Sequence, residues 1–127
     1  MSAAILTVDD SATVRQLVRS ALEAEGYQVH EAGHGVEALE VLQTTQVDCV
    51  ITDLYMPIMD GLTLVRAIRN LESYRFTPVL LLTTESGEEI KRAGREAGAT
   101  GWLVKPFRRE QLRQVVLRVL GSVRAGA

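Results

Sequence analysis

Two hydrophobic periods alternate along this chain. Ala4-Ile5-Leu6-Thr7-Val8 is an almost unbroken apolar run with β-branched members, which predicts a strand. Asp9-Asp10-Ser11 ends it. Ser11 is placed to cap a helix whose apolar residues Val14, Leu17, Val18, Ala21 and Leu22 recur at helical spacing. Gly26 stops that helix. Tyr27 to Ala32 predicts a second strand, and its Gln28 and His30 give it an edge position or one wet face. Gly33-His34-Gly35 breaks the chain before a second helix marked by Val36, Leu39 and Leu42. Val47-Asp48-Cys49-Val50-Ile51-Thr52 is apolar on both faces beyond Asp48, as a central parallel strand covered on both sides requires. A loop from Leu54 to Gly61, with Pro57 and the turn pair Asp60-Gly61, leads to a third helix at Leu62, Val65 and Ile68. Pro78 to Thr83 predicts a fourth strand, and Glu88 to Ala97 a fourth helix ended by Gly98. Gly101 to Val104 is a short fifth strand stopped by Lys105-Pro106. Leu112, Val115, Val116, Val119 and Leu120 mark the last helix, beyond which Gly121 to Ala127 is expected to fray.

Five strands in alternation with five helices predict an α/β fold, a doubly wound parallel sheet with helices on both faces. The 127 residues suit one domain, expected over 1–127 with its core from about 4 to 120. At 46% hydrophobic and 24% charged, the composition excludes a disordered chain. The single Cys49 excludes a disulfide scaffold and is expected to be a buried core thiol. No apolar run approaches the ~20 residues that cross a bilayer, so membrane insertion is not expected. Met1-Ser2-Ala3-Ala4 lacks the basic lead of a secretory signal, so the expected location is cytoplasmic. The net charge of −2, from 14 basic and 16 acidic residues, argues against a nucleic-acid binder. Arg108, Arg109, Arg113, Arg118 and Arg124 are expected to form a solvated helix face, and His30 and His34 to be surface residues.

In open parallel sheets, ligands sit at the carboxyl ends of the strands. Those ends carry Asp9 and Asp10, Asp53, Thr83, and Lys105. Singly, each has a plain explanation: an Asp after a strand caps helices and starts turns, Thr is an ordinary strand residue, and Lys is commonly a solvated charge. Asp9 and Asp10 would also face opposite ways in a regular strand, so they share a site only if the chain has already turned. Together the residues suit a particular chemistry. Three clustered carboxylates repel one another and are relieved by a hard divalent cation, for which oxygen ligands favour Mg²⁺ or Mn²⁺ over zinc. A metal-bound carboxylate cluster with an adjacent ammonium and hydroxyl can receive a phosphoryl group, with the central Asp53 as nucleophile.

The segments Leu6-Thr7-Val8-Asp9-Asp10-Ser11, Asp53 to Gly61, Leu82-Thr83-Thr84 and Gly101 to Phe107 together resemble the receiver domain of bacterial two-component response regulators, in particular the CheY-like single-domain type. The resemblance runs from Ile5 to about Leu120. It implies the flavodoxin-like (CheY-like) five-stranded sheet in the order 2-1-3-4-5. Asp53 would take a phosphoryl group from a histidine kinase (CheA-like). Mg²⁺, or Mn²⁺ in its place, would be held by Asp9, Asp10, Asp53 and the backbone carbonyl of Tyr55. Lys105 would pair with a phosphoryl oxygen and Thr83 would swing to hydrogen-bond another. Trp102 stands where the family usually has Tyr or Phe, and is either a rotating switch or a plain core aromatic. Tyr55 and Glu85, two residues after Asp53 and Thr83, occupy the positions that tune dephosphorylation. A cis Lys105–Pro106 bond is expected.

The implied protein is a signalling switch rather than an enzyme, catalysing only its own phosphorylation and dephosphorylation. It would be a monomer whose fourth helix, fifth strand and fifth helix bind an output protein such as the flagellar motor switch in chemotaxis. The 127 residues hold no DNA-binding unit after the last helix, so direct DNA binding is not expected unless they are a cut fragment. A phosphate sink or phosphorelay intermediate is an alternative within the family. A flavodoxin-like FMN protein is disfavoured because Asp9 and Asp10 would repel the FMN phosphate. An Asp-dependent phosphatase is disfavoured because position 55 is Tyr rather than the second Asp.

Overall fold

A computed structural model describes residues 2–126, the last five by their backbone alone. Five parallel strands, β1 (Ala4–Val8), β2 (Gln28–Ala32), β3 (Cys49–Asp53), β4 (Val79–Thr83) and β5 (Gly101–Val104), form one sheet in the order β2-β1-β3-β4-β5. They alternate with α1 (Ala12–Glu23), α2 (Gly35–Thr44), α3 (Gly61–Arg69), α4 (Glu88–Ala97) and α5 (Arg109–Gly126). The expected fold class and strand order are those observed, and β2 is an edge strand with an exposed Gln28.

The period of two along each strand sorts the core into two layers. Ile5, Cys49, Ile51, Leu80 and Leu82 face α1 and α5, meeting Val18, Leu22, Leu112 and Val116. Leu6, Val8, Val50, Val79 and Leu81 face the other way, onto Ala38 and Leu42 of α2 and Leu64, Val65 and Ile68 of α3. The central strands are therefore buried on both faces, which is why their sequences read as apolar runs. Cys49 is in the core as expected.

The helices start and stop for local reasons. Ser11 caps α1, its hydroxyl accepting from Val14 N at 3.2 Å. Asp60 caps α3 through Thr63 N at 2.8 Å. Gly98 ends α4 in the left-handed conformation at φ 111, which glycine adopts without a Cβ penalty. His34 is more than a surface residue: its Nδ1 caps α2 by accepting from Glu37 N at 3.2 Å. A short 3₁₀ turn over Glu72–Tyr74 was not anticipated. Helix α5 continues through Gly121 to Gly126, where fraying was expected, because Ser122 to Ala125 contain neither proline nor glycine. The expectation for Ala127 lies outside the described residues. Among the described residues no helix is long and apolar enough to cross a membrane.

Candidate functional site

The carboxyl ends of β1, β3, β4 and β5 meet at one rim of the sheet. Asp9 follows β1 directly and still extends its ladder, its N–H donating to Ala32 O at 3.1 Å. The chain then turns: Asp9 Oδ1 accepts from Ser11 N at 2.9 Å, an Asx turn that leads into the α1 cap. This turn answers the objection that neighbouring residues diverge, and Asp9 and Asp10 reach the same place. Ligand oxygens of Asp9, Asp10 and Asp53 all lie within 4.8 Å of one another. Asp9 is buried, Asp53 is half-buried and Asp10 is exposed, so the pit opens to solvent on the Asp10 side.

Lys105, just past β5, closes the other side. Its Nζ lies 2.9 Å from Asp53 Oδ1 and 3.3 Å from Asp9 Oδ2. Its own backbone is fixed by Lys105 N donating to Thr83 O at 2.8 Å. The bond to Pro106 is cis, as expected. Burial raises the Asp53 carboxyl above the ordinary carboxylate range. The Lys105 hydrogen bond opposes that rise, and the negative charges of Asp9 and Asp10 add to it. Burial works to lower the Lys105 ammonium, but its bonds to Asp53 and Asp9 and their charges outweigh it, and the net direction is up. Three carboxylates against one ammonium leave the pit with an excess of negative charge. An all-oxygen donor set with that excess fits a hard divalent cation and offers no soft ligand to select zinc.

Thr83 ends β4 beside the pit and is buried. Its Oγ1 accepts from Glu85 N at 3.1 Å, which leaves the hydroxyl proton free to be donated elsewhere. Glu85 is the meeting point of the surrounding residues. Its carboxylate accepts from Tyr55 OH at 2.7 Å and its backbone carbonyl accepts from Trp102 Nε1 at 3.1 Å. The Tyr55–Glu85 bond spans the loops that follow β3 and β4 and raises the phenol above its ordinary range, chiefly through that hydrogen bond. Trp102 packs against the glycine side of α4, where a Cβ on Gly94 would fall 2.9 Å from its ring.

The acids, Lys105 and Thr83 thus sit where the strand-end rule places them. The Tyr55–Glu85 and Trp102–Glu85 bonds were not predicted, and no spacing in the sequence signals them. Arg15 was also missed as a neighbour of the site. Its Nη1 donates to Asp9 O at 2.5 Å.

A doubly wound α/β domain with an acidic pit and a lysine at the carboxyl rim of its sheet is the class that this geometry defines. The chain belongs to the response regulator receiver domain family, whose model matches residues 5–117. It is 38% identical over 124 residues to the transcriptional regulatory protein SrrA of Staphylococcus aureus, a match that takes in 98% of this chain. The chain spans about half the length of that relative, 49%. Among solved structures it is similar to the Vibrio cholerae chemotaxis protein CheY4, with 46% identity and a TM-score of 0.92 over 94% of this chain and 99% of the other. It is also similar to the receiver domain of the sensor histidine kinase PA1611 from Pseudomonas aeruginosa, at 27% identity and TM-score 0.87 over 95% and 99% of the two chains. That structure has a magnesium ion coordinated in its active site cleft.

Proposed function

We propose that this protein is a phosphorylation-activated response regulator. It accepts a phosphoryl group on Asp53 from a histidine kinase and thereby changes its affinity for an output protein. The observation that carries the reading is the convergence of Asp9, Asp10 and Asp53 on one point, with Lys105 bonded to Asp53. The three carboxylates, with the Tyr55 carbonyl, would hold Mg²⁺, or Mn²⁺ in its place, a reading supported by the ion in the PA1611 receiver domain. When bound, the cation offsets negative charge on the carboxylates and on the phosphoryl oxygens.

An Asp53 carboxylate oxygen attacks phosphorus in line. The P–N bond of the donor phosphohistidine breaks, the imidazole leaves with the bonding pair, and an acyl phosphate forms. Lys105 shifts from the carboxylates to a phosphoryl oxygen. Thr83 donates its free proton to another, and as it moves it draws on Glu85 N. Because Glu85 also holds Tyr55 and Trp102, that motion reaches both aromatic residues. Trp102 then changes place against α4, and the surface of α4, β5 and α5 changes with it, as a shift between two pre-existing populations. Tyr55 and Glu85 stand at the mouth and set water access to the acyl phosphate.

The 46% identity to CheY4 over nearly both chains supports chemotaxis as the setting, with a CheA-like kinase as donor and a flagellar motor switch as output. In that setting the protein acts in the cytoplasm as a monomer. Transfer from a purified ³²P-labelled kinase phosphohistidine tests the reading. Label should move to the wild type only with Mg²⁺ and not to Asp53→Asn. Equal labelling of the two would overturn it.

A further inference from the structure

The three carboxylates can share one ion only if the chain turns sharply between Asp9 and Asp10, since successive strand residues diverge. A side chain of α1 bonds the backbone of that turn directly. Arg15, on the first turn of α1, donates through Nη1 to Asp9 O at 2.5 Å. Its guanidinium is in turn aimed by β2, with Nε bonded to Glu31 Oε1 at 3.0 Å. The other Glu31 oxygen is held by Arg19 Nη1 at 2.8 Å. The planar fork of Arg15 therefore ties the end of β1 to the end of β2, gripping the one peptide whose orientation decides where Asp10 points. A lysine cannot reproduce this, because its ammonium is a point donor rather than a rigid fork.

We propose that Arg15, aimed by Glu31, is a positioning residue for the divalent-cation site: it holds the Asp9 carbonyl so that the Asp9 and Asp10 carboxylates face the same ion. The inference rests on the reading that the pit binds such an ion. Arg19 supplies an internal control, since it shares Glu31 but is not bonded to Asp9. Simple electrostatics predicts the opposite sign. Deleting a cation next to an acidic site strengthens binding of another cation, whereas deleting a positioning contact weakens it. Loss of such an outer-shell partner typically weakens metal binding about 10- to 100-fold.

The test is calorimetric titration of the full chain with MgCl₂, on wild type, Arg15→Ala, Arg15→Lys and Arg19→Ala, each checked for folding by far-ultraviolet circular dichroism. Arg15→Ala should bind Mg²⁺ at least about 10-fold more weakly. Arg15→Lys, which keeps the charge and protects against a folding defect, should also bind more weakly. Arg19→Ala, which leaves the Arg15–Asp9 bond in place, should weaken binding less than either Arg15 variant. If the Arg15 variants bind as tightly as wild type or more tightly, or if Arg19→Ala weakens binding equally, the positioning role is overturned. If wild type itself binds no Mg²⁺, the failure lies with the metal-site reading beneath it.

Discussion

The place of Asp53 depends on how closely α3 approaches the end of β3, and Gly61→Ala puts that approach to the test. Gly61 opens α3 and donates to Leu54 O at 2.7 Å. A Cβ there would fall 2.5 Å from the Asp53 carbonyl oxygen and 2.9 Å from Leu54 Cα, well inside the 3.4 Å at which ordinary contact begins. Both obstacles are backbone, and Asp53 is in register with Leu82 of β4, so the sheet cannot yield. The helix must move instead, loosening Leu64, Val65 and Ile68, all 0% exposed. Overpacking of this kind costs about 1–3 kcal/mol, and contact with backbone puts the case near the upper end. Alanine returns at most about 1 kcal/mol of helix propensity. The net loss should be about 2 kcal/mol, a fall in Tm of roughly 6–12 °C for a domain of this size. Thermal and urea unfolding of the metal-free protein measure it. Gly121→Ala is the matched control, a helical glycine with nothing within 4 Å of its added Cβ. It should gain about 0.5–1 kcal/mol. A Gly61→Ala protein as stable as wild type would refute the packing argument.

Thr7 is buried and its Oγ1 has no hydrogen-bond partner among the described residues, so Thr7→Val should raise stability by about 1 kcal/mol in urea unfolding; an unchanged or lower midpoint would show that the hydroxyl is satisfied. Burial, and then the charge of Asp48, push the Cys49 thiol up to about 12. Labelling by an aromatic disulfide reagent at neutral pH should therefore be negligible in the native protein and complete in denaturant, and rapid native labelling would contradict the packing around β3. The Arg19 hydrogen bond outweighs burial and holds the Glu31 carboxyl below its ordinary 4.5. A depressed folded value stabilises above the unfolded one and is lost as pH falls through the folded one. The urea-midpoint gap between wild type and Glu31→Gln should thus be open at pH 7 and close in acid, and a gap that persists at pH 2 would be inconsistent with it.

The elements were legible because burial writes itself into the sequence at two periods. Val50-Ile51 and Leu80-Leu81-Leu82 are apolar on both faces because both faces are covered. The site was legible to the extent that it hangs from strand ends, which fix where Asp9, Asp53, Thr83 and Lys105 emerge. What joins those residues to their surroundings was not. Arg15 reaches a backbone carbonyl, and Tyr55 reaches across 30 residues to Glu85; such contacts follow from how α1 and the loops settle, not from any spacing. His34 escaped notice as a cap because imidazole is outside the usual Ser, Thr, Asp and Asn set. The turn at Glu72–Tyr74 is too short to show a period. Fraying was expected from Gly121 onward, but one glycine inside a helical run weakens a helix without ending it.

The central claim is that the fold turns Asp53, and neither of its two acidic neighbours, into an acceptor for phosphorus. An acyl phosphate is reduced by borohydride to an alcohol, which would convert an aspartyl phosphate into homoserine. Treatment with acetyl phosphate and then borohydride, followed by peptide mass spectrometry, should place homoserine at position 53 alone and only when Mg²⁺ is present. Homoserine at position 9 or 10, or a yield at 53 indifferent to the metal, would contradict the account.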